Sequence, residues 1–164
     1  MVPNDIDQEI AKMRSQFPQL VKTGSRKNSD ESYVIDLCDE VLASKASRQH
    51  KFDFLRGDPS SNNKRGVELP VDAYYKDLNL VVEYNERQHT ESVALFDNKK
   101  TVSGVSRGEQ RRIYDKRRQE VLPKHGIDLV VISYFDFGES KKLKRNHDHD
   151  IQIVREKLQK YIDK

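Results

Sequence analysis

Two short, continuous apolar runs separated by a long basic stretch constrain the fold of this chain more than any other feature. The runs are Leu80-Val81-Val82 and Leu129-Val130-Val131-Ile132. Such runs are typical of strands that are buried on both faces of a sheet. A long helix between two strands predicts a right-handed crossover with parallel pairing.

The other hydrophobic patterns complete a regular order of elements. Helices are predicted over about 31–43, 106–124 and 150–163, and strands over 51–55, 67–75, 79–84 and 127–135. Ser29 or Asp30 can cap the first helix, Ser106 can cap the second, and Gly126 can end it. The order of helix, three strands, helix, strand and helix predicts an α/β fold with a mixed sheet flanked by helices.

The N-terminal segment differs from the rest of the chain. A short helix is predicted over residues 5–14, and the polar stretch 22–29 contains glycine and serine, as linkers do. We therefore expect an N-terminal helical arm and linker over 1–28 and a single domain over 29–164. A chain of 164 residues has room for one sizeable core.

Charge and cysteine content restrict the class of protein. The net charge of +3 results from 30 basic and 27 acidic residues, so a basic face can coexist with an acidic pocket. The one cysteine, Cys38, excludes an internal disulfide and favours a reducing compartment. The chain has no apolar run of membrane-spanning length and no signal-peptide pattern at its start. We expect a cytoplasmic protein that contacts no membrane.

Two acidic residues on neighbouring predicted strands indicate a metal site. Asp72 follows Pro70-Val71 near the start of one hairpin strand, and Glu83 closes the next. Carboxylate oxygens together with waters are the ligands that Mg²⁺ takes, and a metal held there can activate water against a phosphodiester. The alternative is a pair of solvated carboxylates at strand ends.

The residues after Glu83 strengthen the catalytic interpretation. They run Glu83-Tyr84-Asn85-Glu86-Arg87-Gln88-His89 and bring an amide and an imidazole close to a buried strand. Histidine side chains in general titrate near neutrality, so a histidine at position 89 is a candidate to move a proton during hydrolysis. Taken alone, His89 would more often be a structural or surface histidine.

The predicted helix over 106–124 is crowded with basic residues. They are Arg107, Arg111, Arg112, Lys116, Arg117 and Arg118. Neutralisation of backbone phosphates supplies most of the sequence-independent affinity of proteins for DNA, so this helix is a candidate phosphate-binding face. A solvated face balanced by Glu109 and Glu120 is the alternative.

In this order, the motifs resemble a known nuclease group. The matching segments are Pro70-Val71-Asp72, Leu80-Val81-Val82-Glu83-Tyr84-Asn85, Gln88-His89, and Asp115-Lys116-Arg117-Arg118 with Leu122 and Gly126 before the last apolar run. Together they resemble the very-short-patch-repair nucleases of the PD-(D/E)xK superfamily. The resemblance covers roughly residues 30–137 and implies a restriction-endonuclease-like fold.

The resemblance also implies roles for single residues. Asp72 and Glu83 match the acids of a site for Mg²⁺ or Mn²⁺, His89 matches the proton-handling histidine, and Asp115 matches the acid on the following helix. Gln88 would position water or phosphate.

An N-terminal helical acid is implied as well. Asp36 is our choice, with Glu40 and Glu31 as alternatives.

Asn85 departs from the superfamily pattern, because many members carry lysine two positions after the second acid, and asparagine cannot supply a positive charge. Arg87 is a candidate to compensate.

These observations predict a metal-dependent endonuclease that cuts DNA phosphodiesters in restriction, repair or defence against mobile elements. Double-stranded DNA is the expected partner, and Arg87, Arg107, Arg111, Arg112 and Arg118 are the expected phosphate contacts. A homodimer is left open, as are two other functions. One is a module that binds nucleic acid without cutting, and the other is a structural partner protein with surface ion pairs.

Overall fold

The computed structural model describes residues 29–86, 105–140 and 142–163, so the predicted N-terminal arm lies outside the described residues. The elements, in chain order, are α1 (Asp30–Leu42), β1 (Ser47–Arg56), β2 (Glu68–Tyr75), β3 (Leu80–Asn85), α2 (Arg107–Lys124), β4 (Asp128–Ser133), α3 (His147–Lys157) and α4 (Gln159–Ile162). Two 3-10 turns, Lys76–Leu78 and Tyr134–Phe137, follow β2 and β4.

The four strands form one mixed sheet in the order β1-β2-β3-β4. The first two pairings are antiparallel, and β3 pairs with β4 in parallel. The predicted α/β class, the mixed sheet flanked by helices and the parallel pairing of the two apolar runs are confirmed.

Side-chain caps fix the ends of the helices largely where the sequence predicted them. The hydroxyl of Ser29 accepts a hydrogen bond from the backbone N–H of Ser32, and Ser106 accepts one from Glu109. Gly126, just after α2, has a φ of 73° in the left-handed region that glycine favours.

The C-terminal helix differs from its prediction. The helical segment begins at His147 rather than at residue 150, because the Asn146 side chain accepts the backbone N–H of His149 and caps it. The segment is also divided into α3 and α4 at Leu158. Hydrophobic spacing predicts a buried face, but it does not locate caps or interruptions.

Two apolar clusters divide the domain into three layers. On one face of the sheet, α1, α3 and α4 cover residues that include Leu80, Val82 and Tyr84 of β3. On the other face, Leu122 of α2 packs with Val81 and with residues of β1 and β2. Strand β3 is therefore buried on both faces, which explains its continuous apolar run.

The helices that the structure describes include none that is both long and apolar enough to cross a membrane. Cys38 lies in the α1 core, and burial raises the pKa of its thiol to about 12. A thiol with so high a pKa stays protonated and unreactive at neutral pH.

Candidate active site

Glu83 lies on the face of the sheet that α2 covers. Side chains alternate between the two faces of a strand, and Val81, two residues earlier, packs in the α2 cluster. Glu83 is the next residue of β3 on that face, and its side chain is only 15% exposed. The alternation of side chains along β3 therefore places the carboxyl group of Glu83 beneath α2 and not in solvent.

Asp72 approaches Glu83 from the neighbouring strand. Ala73 pairs with Val82 in the antiparallel ladder, so Asp72 and Glu83 are the next residues along their strands. Residues opposite each other in such a ladder share a face. One carboxylate oxygen of Asp72 accepts the backbone N–H of Tyr84 at 2.8 Å, which fixes its position beside β3.

The carboxyl group of Asp72 influences the protonation of Glu83. Burial raises the pKa of Glu83 well above its usual range, and the negative charge of Asp72 together with a hydrogen bond to Asp72 raises it further. Arg118 opposes this shift, and Asp115 adds a smaller increase. Like charges in a shared, dehydrated site cannot both ionise easily, so Glu83 retains a proton where a free glutamate would lose it.

Helix α2 brings Arg118 and Asp115 to the carboxyl pair. Arg118 donates from Nη1 to Asp115 at 3.1 Å, one helical turn earlier, and from Nη2 to the backbone carbonyl of Pro70 at 3.1 Å. Its Nε lies 3.5 Å from Oε1 of Glu83. Both atoms of this contact are buried without a hydrogen-bond partner. A buried polar atom without a partner costs roughly 1–3 kcal/mol and often marks a place where another ligand binds.

A cavity of about 20 Å³ adjoins these groups. Its lining consists of Glu83, Asn85, Asp115, Arg118, Gln119, Leu129 and Val131. This volume is large enough for a single water molecule or ion.

The groups present fit a hard divalent cation. Glu83, with its unpartnered oxygen, and Asn85 line the cavity, and Asp72 lies opposite Glu83 on the neighbouring strand. All three carry oxygen donors of the kind that Mg²⁺ and Mn²⁺ take, and Mg²⁺ usually retains several waters. Within residues 29–86, 105–140 and 142–163, no group of three or more His, Cys, Asp or Glu side chains is arranged to hold a metal. Asp72 and Glu83 would therefore be only part of the ligand set if a cation binds here.

The predicted N-terminal helical acid lies apart from this cluster. Asp36 is 67% exposed and forms an ion pair with Arg48 at 2.6 Å, in the layer on the other side of the sheet. The two alternatives also have other partners, since Glu40 contacts His147 and Glu31 accepts from Gln49. The structure does not bring these three acids to Asp72 and Glu83.

The predicted phosphate contacts occupy two different settings. Arg107 and Arg112 are exposed on α2, Arg111 is half-buried, and Arg118 is directed into the carboxyl cluster. The remaining predicted residues, Arg87, Gln88 and His89, lie outside the described residues.

Sequence reasoning missed the structural position of Arg118, which it assigned to the phosphate-binding face. One signal was available: Asp115 and Arg118 are three residues apart on a helix and hence neighbours on its surface. The bond to the Pro70 carbonyl depends on how α2 packs across the sheet, and no local pattern indicates it.

No protein-family model matches the chain, and no curated protein matches it. Among solved structures, the chain is similar to the 5-hydroxymethylcytosine-specific restriction enzyme AbaSI, with a TM-score of 0.36 and 19% sequence identity. The similarity covers 93% of this chain and 49% of that enzyme, so the chain spans about half of its length.

Proposed function

We propose that this protein is a divalent-metal-dependent endonuclease that hydrolyses phosphodiester bonds of DNA. The observation that carries the proposal is the Asp72–Glu83 pair, in which a buried, unpartnered oxygen of Glu83 lies beside an arginine and a cavity of about 20 Å³. Coupled carboxyls in a dehydrated pocket are more typical of catalytic and metal sites than of solvated strand ends.

In this proposal Asp72 and Glu83 hold the cation, Mg²⁺ or Mn²⁺, through their carboxylate oxygens. When bound, such a cation polarises the phosphodiester and lowers the pKa of a coordinated water. Asp115 lies within electrostatic range of Glu83 and is kept near it by Arg118. Gln88 and His89 follow the same strand in sequence, and we assign water positioning to Gln88 and proton transfer to His89.

The basic residues of α2 support DNA as the substrate. Arg111 lies two helical turns before Arg118 and Arg107 lies three turns before it, because seven and eleven residues are close to whole numbers of turns. A stripe of arginines therefore leads along one helix face to the carboxyl pair. Such a stripe can follow a phosphate backbone and present the scissile bond to the site.

Arg112 lies off this stripe, and Lys116 pairs with Glu120 at 3.8 Å on another part of the helix. We therefore assign the principal phosphate contacts to Arg107 and Arg111, and an orienting role to Arg118. Asp36 is not part of the proposed site, because it lies on α1, which covers the other face of the sheet, and accepts a hydrogen bond from Arg48 of β1. Membership of the very-short-patch-repair group remains a prediction based on the sequence motifs.

The test is cleavage of supercoiled plasmid with Mg²⁺, with Mn²⁺ or with a chelator, by the wild type and by Asp72→Asn and Glu83→Gln. We expect cleavage by the wild type with metal only, and its loss in both variants. Asp77→Asn is the matched control, because Asp77 is an exposed acid of the same hairpin. Full activity of either site variant, or activity in the presence of the chelator, would overturn the metal-site assignment.

One observation favours a second function, namely a module on the same fold that binds nucleic acid without cutting. The described residues lack a three-ligand metal group, and Asn85, which lines the cavity, carries no charge. Binding of duplex DNA by a wild type that leaves plasmid intact with either metal would favour this alternative.

A further inference from the structure

Arg118 is the one cation among the described residues that line the carboxyl cavity. Its side chain is 16% exposed, and it reaches three different elements: Asp115 on its own helix, the Pro70 carbonyl of β2, and Glu83 of β3. An arginine buried to this degree is retained only where its charge is compensated.

The Nε atom is the informative part of this arrangement. Nη1 and Nη2 have acceptors at 3.1 Å, whereas Nε faces Oε1 of Glu83 at 3.5 Å without a hydrogen bond. The guanidinium group is therefore held by its other two nitrogens, and its contact with Glu83 is electrostatic. A planar guanidinium can make these three contacts at once, whereas a lysine ammonium lacks the fixed fork.

From this geometry we infer that Arg118 is a positioning residue for cleavage, an internal cation that orients Asp115 and Glu83 and competes with a divalent ion for the Glu83 carboxylate. The inference rests on the proposed function. It assigns Arg118 a task different from that of the arginines exposed on α2, because its nitrogens face protein groups.

Removing the Arg118 guanidinium should change metal affinity and cleavage rate in opposite directions. Removal of the guanidinium takes away a positive charge next to the metal-binding carboxylates, so their attraction for a divalent ion increases. The same removal frees Asp115 from its bond and detaches α2 from the Pro70 carbonyl, so the site loses its fixed geometry and cleavage slows. A residue with a purely structural role would weaken metal binding and cleavage together.

The test uses the full chain with Arg118→Met, which keeps much of the side-chain volume and removes the charge. Mn²⁺ binding is measured by isothermal titration, and cleavage of plasmid is measured at saturating Mn²⁺. We expect Mn²⁺ affinity equal to or higher than that of the wild type, and cleavage at least about 100-fold slower, the size of loss that a misplacement of about 1 Å at a catalytic site can cause.

Arg56→Met is the matched control. Arg56 is 20% exposed and, like Arg118, bonds both carboxylate and carbonyl oxygens, but its partners are Asp53, Glu68 and Gly66. We expect it to lower the unfolding temperature without changing Mn²⁺ affinity or cleavage by more than about threefold, the size of effect that about 0.7 kcal/mol produces.

Each outcome decides between the roles. Cleavage by Arg118→Met within threefold of the wild type overturns the inference, and so does weaker Mn²⁺ binding that falls together with cleavage. A wild type that binds Mn²⁺ but cuts no DNA overturns the proposed function, and the role in cleavage is lost with it. A wild type that cuts while Arg118→Met binds Mn²⁺ well and cuts slowly supports both.

Discussion

The Nε atom of Arg118 and the Oε1 atom of Glu83 lie 3.5 Å apart, both buried and both without a hydrogen-bond partner. A charged pair in this state stabilises the folded protein little, because its electrostatic attraction is smaller than the free-energy cost of removing both groups from water. Under the proposed function, this arrangement is part of a cation site and not a structural ion pair.

Replacing Glu83 with glutamine should stabilise the metal-free protein at neutral pH. The pKa of Glu83 is raised in the folded state, so between the ordinary value and the raised value the folded state binds more protons than the unfolded state. Stability then falls as pH rises through this window, and the loss is complete above the raised pKa. Each unit of pKa shift corresponds to about 1.4 kcal/mol.

The measurement is thermal unfolding of the wild type and Glu83→Gln in chelator from pH 4 to pH 8. We expect the smallest difference near pH 4, where the Glu83 carboxyl group of the folded protein is protonated, and a higher Tm for the variant by roughly 2–4 °C per kcal/mol at pH 7 to 8. A constant difference across the whole range would show that Glu83 titrates normally.

Replacing Arg107 and Arg111 with glutamine should weaken DNA binding and reduce its dependence on salt. Each phosphate contact that is lost should change the slope of log K against log salt by about one. Affinity for a short duplex, measured across a salt series, gives the slope directly. Arg155→Gln on α3 is the control, since this exposed arginine lies on the opposite side of the sheet. If the slope of log K against log salt is the same for all variants, Arg107 and Arg111 are solvated surface residues that do not contact phosphate.

His89 tests whether chemistry can be separated from binding. General acid or base assistance is typically worth 10²–10⁴-fold in rate, or roughly 3 to 5 kcal/mol of transition-state stabilisation. His89→Ala should therefore bind DNA within a few-fold of the wild type and cut it far more slowly in single-turnover assays. A parallel fall in binding and cleavage would make His89 a positioning or structural residue.

Gly66 and Gly126 form a matched pair that separates backbone strain from crowding. Both have positive φ, 79° and 73°, but a Cβ at Gly66 would lie 2.1 Å from the carbonyl oxygen of Gly57, whereas nothing lies within 4 Å of one at Gly126. Gly126→Ala should cost about 1 kcal/mol from the left-handed backbone alone. Gly66→Ala should cost roughly 3 kcal/mol or more, because the loop that leads into β2 must also shift.

Chemical denaturation of the two glycine variants measures this difference in the free energy of unfolding. If both variants lose a similar free energy of unfolding, the loop between β1 and β2 can rearrange easily where Gly57 approaches Gly66. In that event the strand that carries Asp72 is less rigidly supported than the contact with Gly57 indicates.

Local sequence patterns predicted the elements and most of the sheet. The runs at Leu80-Val81-Val82 and Leu129-Val130-Val131-Ile132 became adjacent parallel strands, and the caps at Ser29 and Ser106 lie where the residue types indicated. These features depend on periodicity and on nearby backbone groups, so a linear sequence contains them. The start of α3 at His147 was missed, because apolar spacing does not register a cap that lies outside the apolar face.

By itself, the sequence determined the α/β class, the pairing of the buried strands and the choice of Asp72, Glu83 and Asp115 as acids of interest. Only the tertiary structure decided that Asp36 lies in the opposite layer with Arg48, and that Arg118 faces Glu83. The reason is physical: the faces of a strand follow from alternation along the chain, whereas the partner of a buried charge depends on which helix covers that face and at what rotation.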